Sequence, residues 1–98
     1  MKTINLTDAA LDWAVGSTGE YGCGFFSTDW AVGGPIIERH RIEICHLDNG
    51  EWRAQLKNQG WGFHCRHYGE TPLIAAMRCY VASQLGDQVD VPEALCNQ

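Results

Sequence analysis

Ninety-eight residues, 45% hydrophobic and 19% charged, suffice for one globular domain and leave no room for a second. A net charge of −5 with only two lysines argues against a nucleic-acid backbone as main partner, since non-specific affinity of that kind is built from clustered Lys and Arg. No apolar run approaches the roughly 18 residues a bilayer requires and Met1-Lys2-Thr3-Ile4-Asn5 has no signal-peptide core, so a soluble intracellular protein without a membrane partner is expected.

Leu6 to Gly16 reads as a short first helix, with Thr7 as its cap, Leu6 and Leu11 in the positions of a hydrophobic staple, and Gly16 closing the end. Residues 17–26 hold three glycines and no period, which predicts a flexible loop. Ser27-Thr28-Asp29 offers capping oxygens to the N–H groups that follow Trp30. Gly33-Gly34 then interrupts the pattern, and Pro35 restarts it, so a short helix over Pro35 to Arg39 is expected.

Arg41 to Leu47 alternates with Ile42 and Ile44 on one face. Asp48-Asn49-Gly50 is a hairpin turn, and Glu51 to Lys57 alternates with Trp52, Ala54 and Leu56 inward. A turn at Asn58-Gln59-Gly60 leads to a third strand carrying Trp61, Phe63 and Cys65 on one face. The strongest signal is the long helix from Thr71 to Gly86. Thr71 caps it, Pro72 takes the first helical position, Gly86 stops it, and Leu73, Ile74, Met77, Val81 and Leu85 recur at helical spacing. Residues 87–98 contain Val91-Pro92 and are expected to lie extended. The sum is a single α+β domain over residues 1–98, a three-stranded antiparallel sheet packed with an N-terminal short helix and a long C-terminal helix.

Ser27-Thr28-Asp29-Trp30, Gly33-Gly34-Pro35-Ile36-Ile37-Glu38-Arg39, Trp52 with Ala54, and Thr71-Pro72-Leu73-Ile74-Ala75-Ala76-Met77-Arg78-Cys79-Tyr80-Val81-Ala82 resemble the NinX family of small tailed-phage proteins. The chain is similar, too, to a wider group of phage proteins with an α/β/α sandwich. The resemblance implies a non-structural accessory protein, made from a phage or prophage gene in the cytoplasm of a bacterial host, and it carries over no catalytic residue.

The residues themselves add a restrained chemistry. Five cysteines without C-x-x-C spacing are expected to be reduced thiols, and His40, His46, His64 and His67 lack a second pair at metal-ligand spacing, so neither a metal nor a cofactor is expected. No acid, base and nucleophile converge, which points to a binder and not an enzyme. The helix starts, Arg39 and Arg78 as cations, and Trp30 and Trp52 as stacking planes are what one nucleotide needs. Ser27, Thr28, Asp29, Trp30, Arg39, Trp52 and Arg78 are therefore the candidate ligand-binding set. The function expected is counter-defence by sequestering a small nucleotide-derived signal. A protein-interaction module that inhibits or adapts a host protein is the alternative, and a weak nucleic-acid accessory, suggested by the helix, three strands, helix order, is the third. Four tryptophans exceed what a small core needs, which predicts a homo-oligomer, most simply a dimer.

Overall fold

The computed structural model describes residues 1–58 and 63–96, and for Lys57, Asn58, Phe63, His64 and Cys96 the backbone only. Trp61 and most of the expected turn at residues 58–60 lie outside the described residues, as does the side chain of Phe63. A 3-10 turn over Thr3–Asn5 leads to α1 (Asp8–Ser17), α2 (Trp30–His40), β1 (Glu43–His46), β2 (Trp52–Asn58), β3 (Phe63–Gly69), α3 (Pro72–Leu85) and a single turn of helix, α4 (Glu93–Cys96). The strands form an antiparallel sheet in the order β1-β2-β3, with Ala54 opposite both Ile44 and His67. This is the α+β domain expected.

α3 forms as its sequence dictates. The Thr71 hydroxyl accepts from Ile74 N at 3.1 Å, Pro72 starts the helix where no N–H is needed, and Gly86 ends it at φ 87°. Leu73, Met77 and Val81 are buried as predicted, with Ala75, Ala76 and Tyr80 on the flanks of the same face and Cys79 also buried, while Ile74 is half-buried and Leu85 is exposed. α3 lies between the sheet on one side and α1 with α2 on the other, so it has two buried faces. Small residues let the sheet come close, since a β-carbon on Gly69 would stand 2.8 Å from Ala75 N. The layers therefore run sheet, α3, then α1 and α2, in place of helices on both sheet faces; Glu43, Cys45, Arg66 and Tyr68 on the outer face are exposed.

Ile42 and Ala54 complete the core from the sheet, with Ile44, Trp52 and Leu56 half-buried against it. Leu6, just before α1, and Leu11 within it are both buried as a staple requires, and α2 adds Ile36. The Thr7 side chain makes no capping bond, and α1 turns in through Asp8 at φ 49° and runs past Gly16 to Ser17.

The expectation of a short helix from Pro35 fails more substantially, because α2 begins at Trp30 and passes through both glycines and Pro35. Asp29 caps it, its Oδ1 accepting from Ala31 N at 2.9 Å. Gly33 is there for packing and not to break the helix: a β-carbon would stand 2.6 Å from the Phe26 carbonyl oxygen. The tail also departs from a fully extended path. Val89 is buried, and α4 adds a turn beyond Pro92.

Candidate functional site

Two side-chain groupings stand out, one at each end of α2. At its start, residues 25–28 form a turn in which Thr28 N and Asp29 N both donate to the Phe25 carbonyl, at 3.1 and 2.8 Å. This turn throws the Phe25 ring outward at 73% exposure and Trp30 at 55%, while neighbouring Phe26 is buried in the core. α1 holds the turn from below, where Asp12 Oδ1 accepts from Ser27 N at 2.7 Å. Trp13, next to Asp12, is 36% exposed. None of the described tryptophans is buried, and Trp52 is half-buried.

At the other end of α2 an aromatic and titratable cluster closes over the loop. The Tyr21 hydroxyl and His40 Nε2 share a hydrogen bond of 2.7 Å, and both rings lie against buried Tyr80, at 5.7 and 4.9 Å between centroids. Thr18 Oγ1 reaches the Tyr80 hydroxyl at 3.0 Å. Arg39 pairs with Glu20 at 3.8 Å and lies over the Tyr21 ring at 5.7 Å. Burial pushes the Tyr21 and Tyr80 phenols up and the His40 imidazole down, with Glu20 working against the fall at His40. Those directions keep the phenols protonated and the imidazole neutral, so the cluster ties residues 18–21 to α2 and α3 through neutral hydrogen bonds and ring contacts.

The seven residues of the sequence-predicted ligand set do not share one cleft. Ser27, Thr28, Asp29 and Trp30 meet at the start of α2, while Arg39 sits nine residues further along it, about 14 Å away at 1.5 Å per residue. Trp52 and Arg78 both adjoin the end of β3. Trp52 pairs with Gly69 in the ladder and packs against the His46 ring at 4.6 Å. Arg78 donates from Nε to the Leu6 carbonyl and from Nη1 to the Tyr68 carbonyl, each at 2.7 Å. Burial lowers its pKa, opposed by Glu70 and Glu51. Within the Ser27 to Trp30 group, the carboxylates of Asp12 and Asp29 already take the N–H groups of Ser27 and Ala31, which sets negative charge where a phosphate would have to sit. Phe25 was missed from sequence because a Gly-flanked Phe-Phe pair does not say which ring turns inward.

Among the described residues no group of His, Cys, Asp or Glu could hold a metal ion, and no helix is long and apolar enough to cross a membrane. Cys23, Cys45, Cys65 and Cys79 are free thiols. Cys79 is buried, donates to the Cys65 carbonyl at 3.2 Å and has its pKa pushed up to about 12 by burial, which makes it a small packing group and not a nucleophile. Cys45 is exposed on the outer sheet face.

No curated protein matches the chain. The family model described as Bacteriophage P22, NinX matches residues 22–84, from the loop through the turn bearing Phe25 and Trp30 and the whole sheet to nearly the end of α3. The chain belongs to the NinX family of phage proteins.

Proposed function

We propose that this phage accessory protein works without catalysis in the cytoplasm of the infected bacterium, docking a host protein through the aromatic face at the start of α2. The observation that supports this reading is the outward placement of Phe25 and Trp30 on a hydrogen-bonded turn while the adjacent Phe26 fills the core. Large aromatic side chains held rigidly in solvent are the usual anchors of protein interfaces, because they bury much area for little lost conformational entropy. Asp12 and Asp29 beside them favour a partner with basic residues around its pocket.

Sequestration of a nucleotide-derived signal by the seven-residue set has less support. Arg78 is spent on two backbone carbonyls, Arg39 stands at the far end of α2, and carboxylates hold the start of that helix. The test is capture from host lysate by the purified protein and by Phe25→Ala and Trp30→Ala variants, with light scattering on each. A stoichiometric host protein lost from both variants supports the proposal. Wild-type dimers that become monomers in the variants, with no host protein captured, would assign the face to a second copy of the chain instead.

A further inference from the structure

The start of the chain is laced to the segment that follows α3. The Met1 ammonium donates to the Val89 carbonyl at 2.9 Å, Val89 N to the Met1 carbonyl at 2.8 Å, and Thr3 N to the Asp87 carbonyl at 2.8 Å, so that Lys2 and Gln88 pair as an antiparallel bridge. The Thr3 hydroxyl adds a bond to the Gly86 carbonyl at 2.7 Å. Between this bridge and β3 lies a cleft of about 430 Å³ lined by Lys2, Ile4, Arg66, His67, Asp87 and Gln88. That volume falls within the range of small-molecule sites, toward its lower end.

The charged groups of this cleft are unspent. Arg66 fixes its Nε on Gln55 Oε1 at 3.1 Å, which orients the guanidinium and leaves both terminal nitrogens without a hydrogen bond or ion pair among the described residues. The same holds there for Lys2 Nζ, the His67 ring and the Asp87 carboxylate. Elsewhere Arg39 pairs with Glu20 and Arg78 with two carbonyls, while Arg41 and Arg53 stand apart from this cleft. A chain of net charge −5 thus lines one cleft with two cations, an imidazole and a carboxylate, Arg66 from the outer face of β3 and His67 from the inner.

We propose that this cleft binds a phosphate monoester of about the size of a nucleoside monophosphate. Lys2 and Arg66 take the phosphate oxygens, Arg66 through its paired terminal nitrogens, whose planar fork suits two oxygens of one phosphate. Asp87 and Gln88 accept from hydroxyl or amino groups on the remainder of the ligand. His67 is the tunable member. Burial lowers its pKa from the usual imidazole value, Asp87 opposes that fall, and Arg78 adds to it, so the ring is neutral near pH 7; Lys2 and Arg66 are the other charged groups of the cleft. A bound anion reverses that balance and makes the imidazole a donor. This assignment is independent of the aromatic face, and either can fail without the other.

The test is calorimetric titration of the full chain with AMP and with inorganic phosphate. AMP is expected to bind saturably and more tightly than phosphate, with Lys2→Gln and Arg66→Gln each weakening it about tenfold or more. Arg41→Gln, which removes the same charge from an exposed position at the end of α2, should leave the affinity unchanged. Sulfate, whose charge is constant over this range, should bind more tightly at about pH 5.5 than at about pH 8, and His67→Phe should abolish that difference. Circular dichroism establishes that each variant is folded. No saturable binding of AMP, AMP no tighter than phosphate, or an equal loss in Arg41→Gln would overturn the assignment.

Discussion

Gly33 and Leu73 approach so closely that a β-carbon on the glycine would stand 2.6 Å from Leu73 Cδ2, and also 2.6 Å from the Phe26 carbonyl oxygen. The leucine could rotate away, but the carbonyl belongs to the turn that presents Phe25. Helix propensity alone would favour alanine by about 1 kcal/mol. The backbone clash outweighs it, and Gly33→Ala is expected to destabilise by about 1–3 kcal/mol, the range for overpacking a core. Gly34 is the control, because its nearest neighbour would be Trp30 Cε3 at an ordinary 3.9 Å. Gly34→Ala should stabilise by up to about 1 kcal/mol. Denaturant unfolding of the two variants checks the pair, and equal signs would show that the α2 to α3 contact is looser than described.

Arg78 makes a second sharp case, since one guanidinium bridges the chain before α1 to the end of β3 from the middle of α3. Replacing it by alanine strands two carbonyl acceptors and removes two charge-assisted bonds, each worth about 1.5–3 kcal/mol in general, less here because the group is half-exposed. Arg78→Ala should therefore cost about 2–4 kcal/mol. Arg78→Lys should recover less than half of that, because one ammonium cannot span both carbonyls with the planar fork. If urea midpoints for Arg78→Ala match wild type, the arginine is free for a ligand and the structural role is wrong.

The contrast between these residues shows what the sequence could convey. α3 was legible because cap, proline, apolar spacing and terminal glycine agree, and the Asp48-Asn49-Gly50 hairpin was legible because turn chemistry is local. α2 was misread because Gly33 serves a contact with residues far away in the chain, and locally such a glycine is indistinguishable from a helix breaker. Its end was legible to within a residue, Arg39 against His40, although Arg41 closes the helix in the left-handed region at φ 54° with no glycine to announce it. For the candidate site, what the sequence could not convey was side-chain commitments. Arg78 and Asp29 had the right chemistry for a ligand, and only the fold shows that carbonyls and helix N–H groups have taken it.

His40 and His67 predict how stability responds to acid. Burial lowers both pKa values from 6.5, so each imidazole is more readily protonated in the unfolded chain than in the folded one. Their contribution is therefore complete above pH 6.5 and is lost as pH falls through the lowered folded values. Tm should drop as the buffer passes from neutral to acid. Carboxylates contribute in the same direction lower down, so the informative comparison is with His40→Gln. That variant should start less stable at neutral pH, because the Tyr21 bond at 2.7 Å is altered, and should then fall less steeply. Parallel Tm profiles for the two proteins would show that His40 does not titrate differently on folding.

Trp30 offers the cleanest separation of stability from function. Its side chain is 55% exposed and sits in the first turn of a helix whose cap is Asp29 and whose buried face is made by Gly33 and Ile36. Little core area is lost on truncation, so Trp30→Ala should change unfolding free energy by no more than about 0.5 kcal/mol, as expected of a surface position. An aromatic anchor at an interface behaves oppositely. Truncation there commonly costs 2 kcal/mol or more, about a 30-fold loss of affinity, most of it in the dissociation rate. Phe25→Ala should act in the same direction, and because the two rings share one turn their effects on binding should be less than additive. Asp29→Ala should lower helix stability by about 1 kcal/mol through loss of its bond to Ala31 N, and it should also weaken a partner with basic residues. Surface plasmon resonance against the captured host protein, beside thermal melts of the same samples, reads both quantities. A Trp30→Ala protein that melts like wild type and still binds with wild-type dissociation kinetics would remove the aromatic face from the function of this chain.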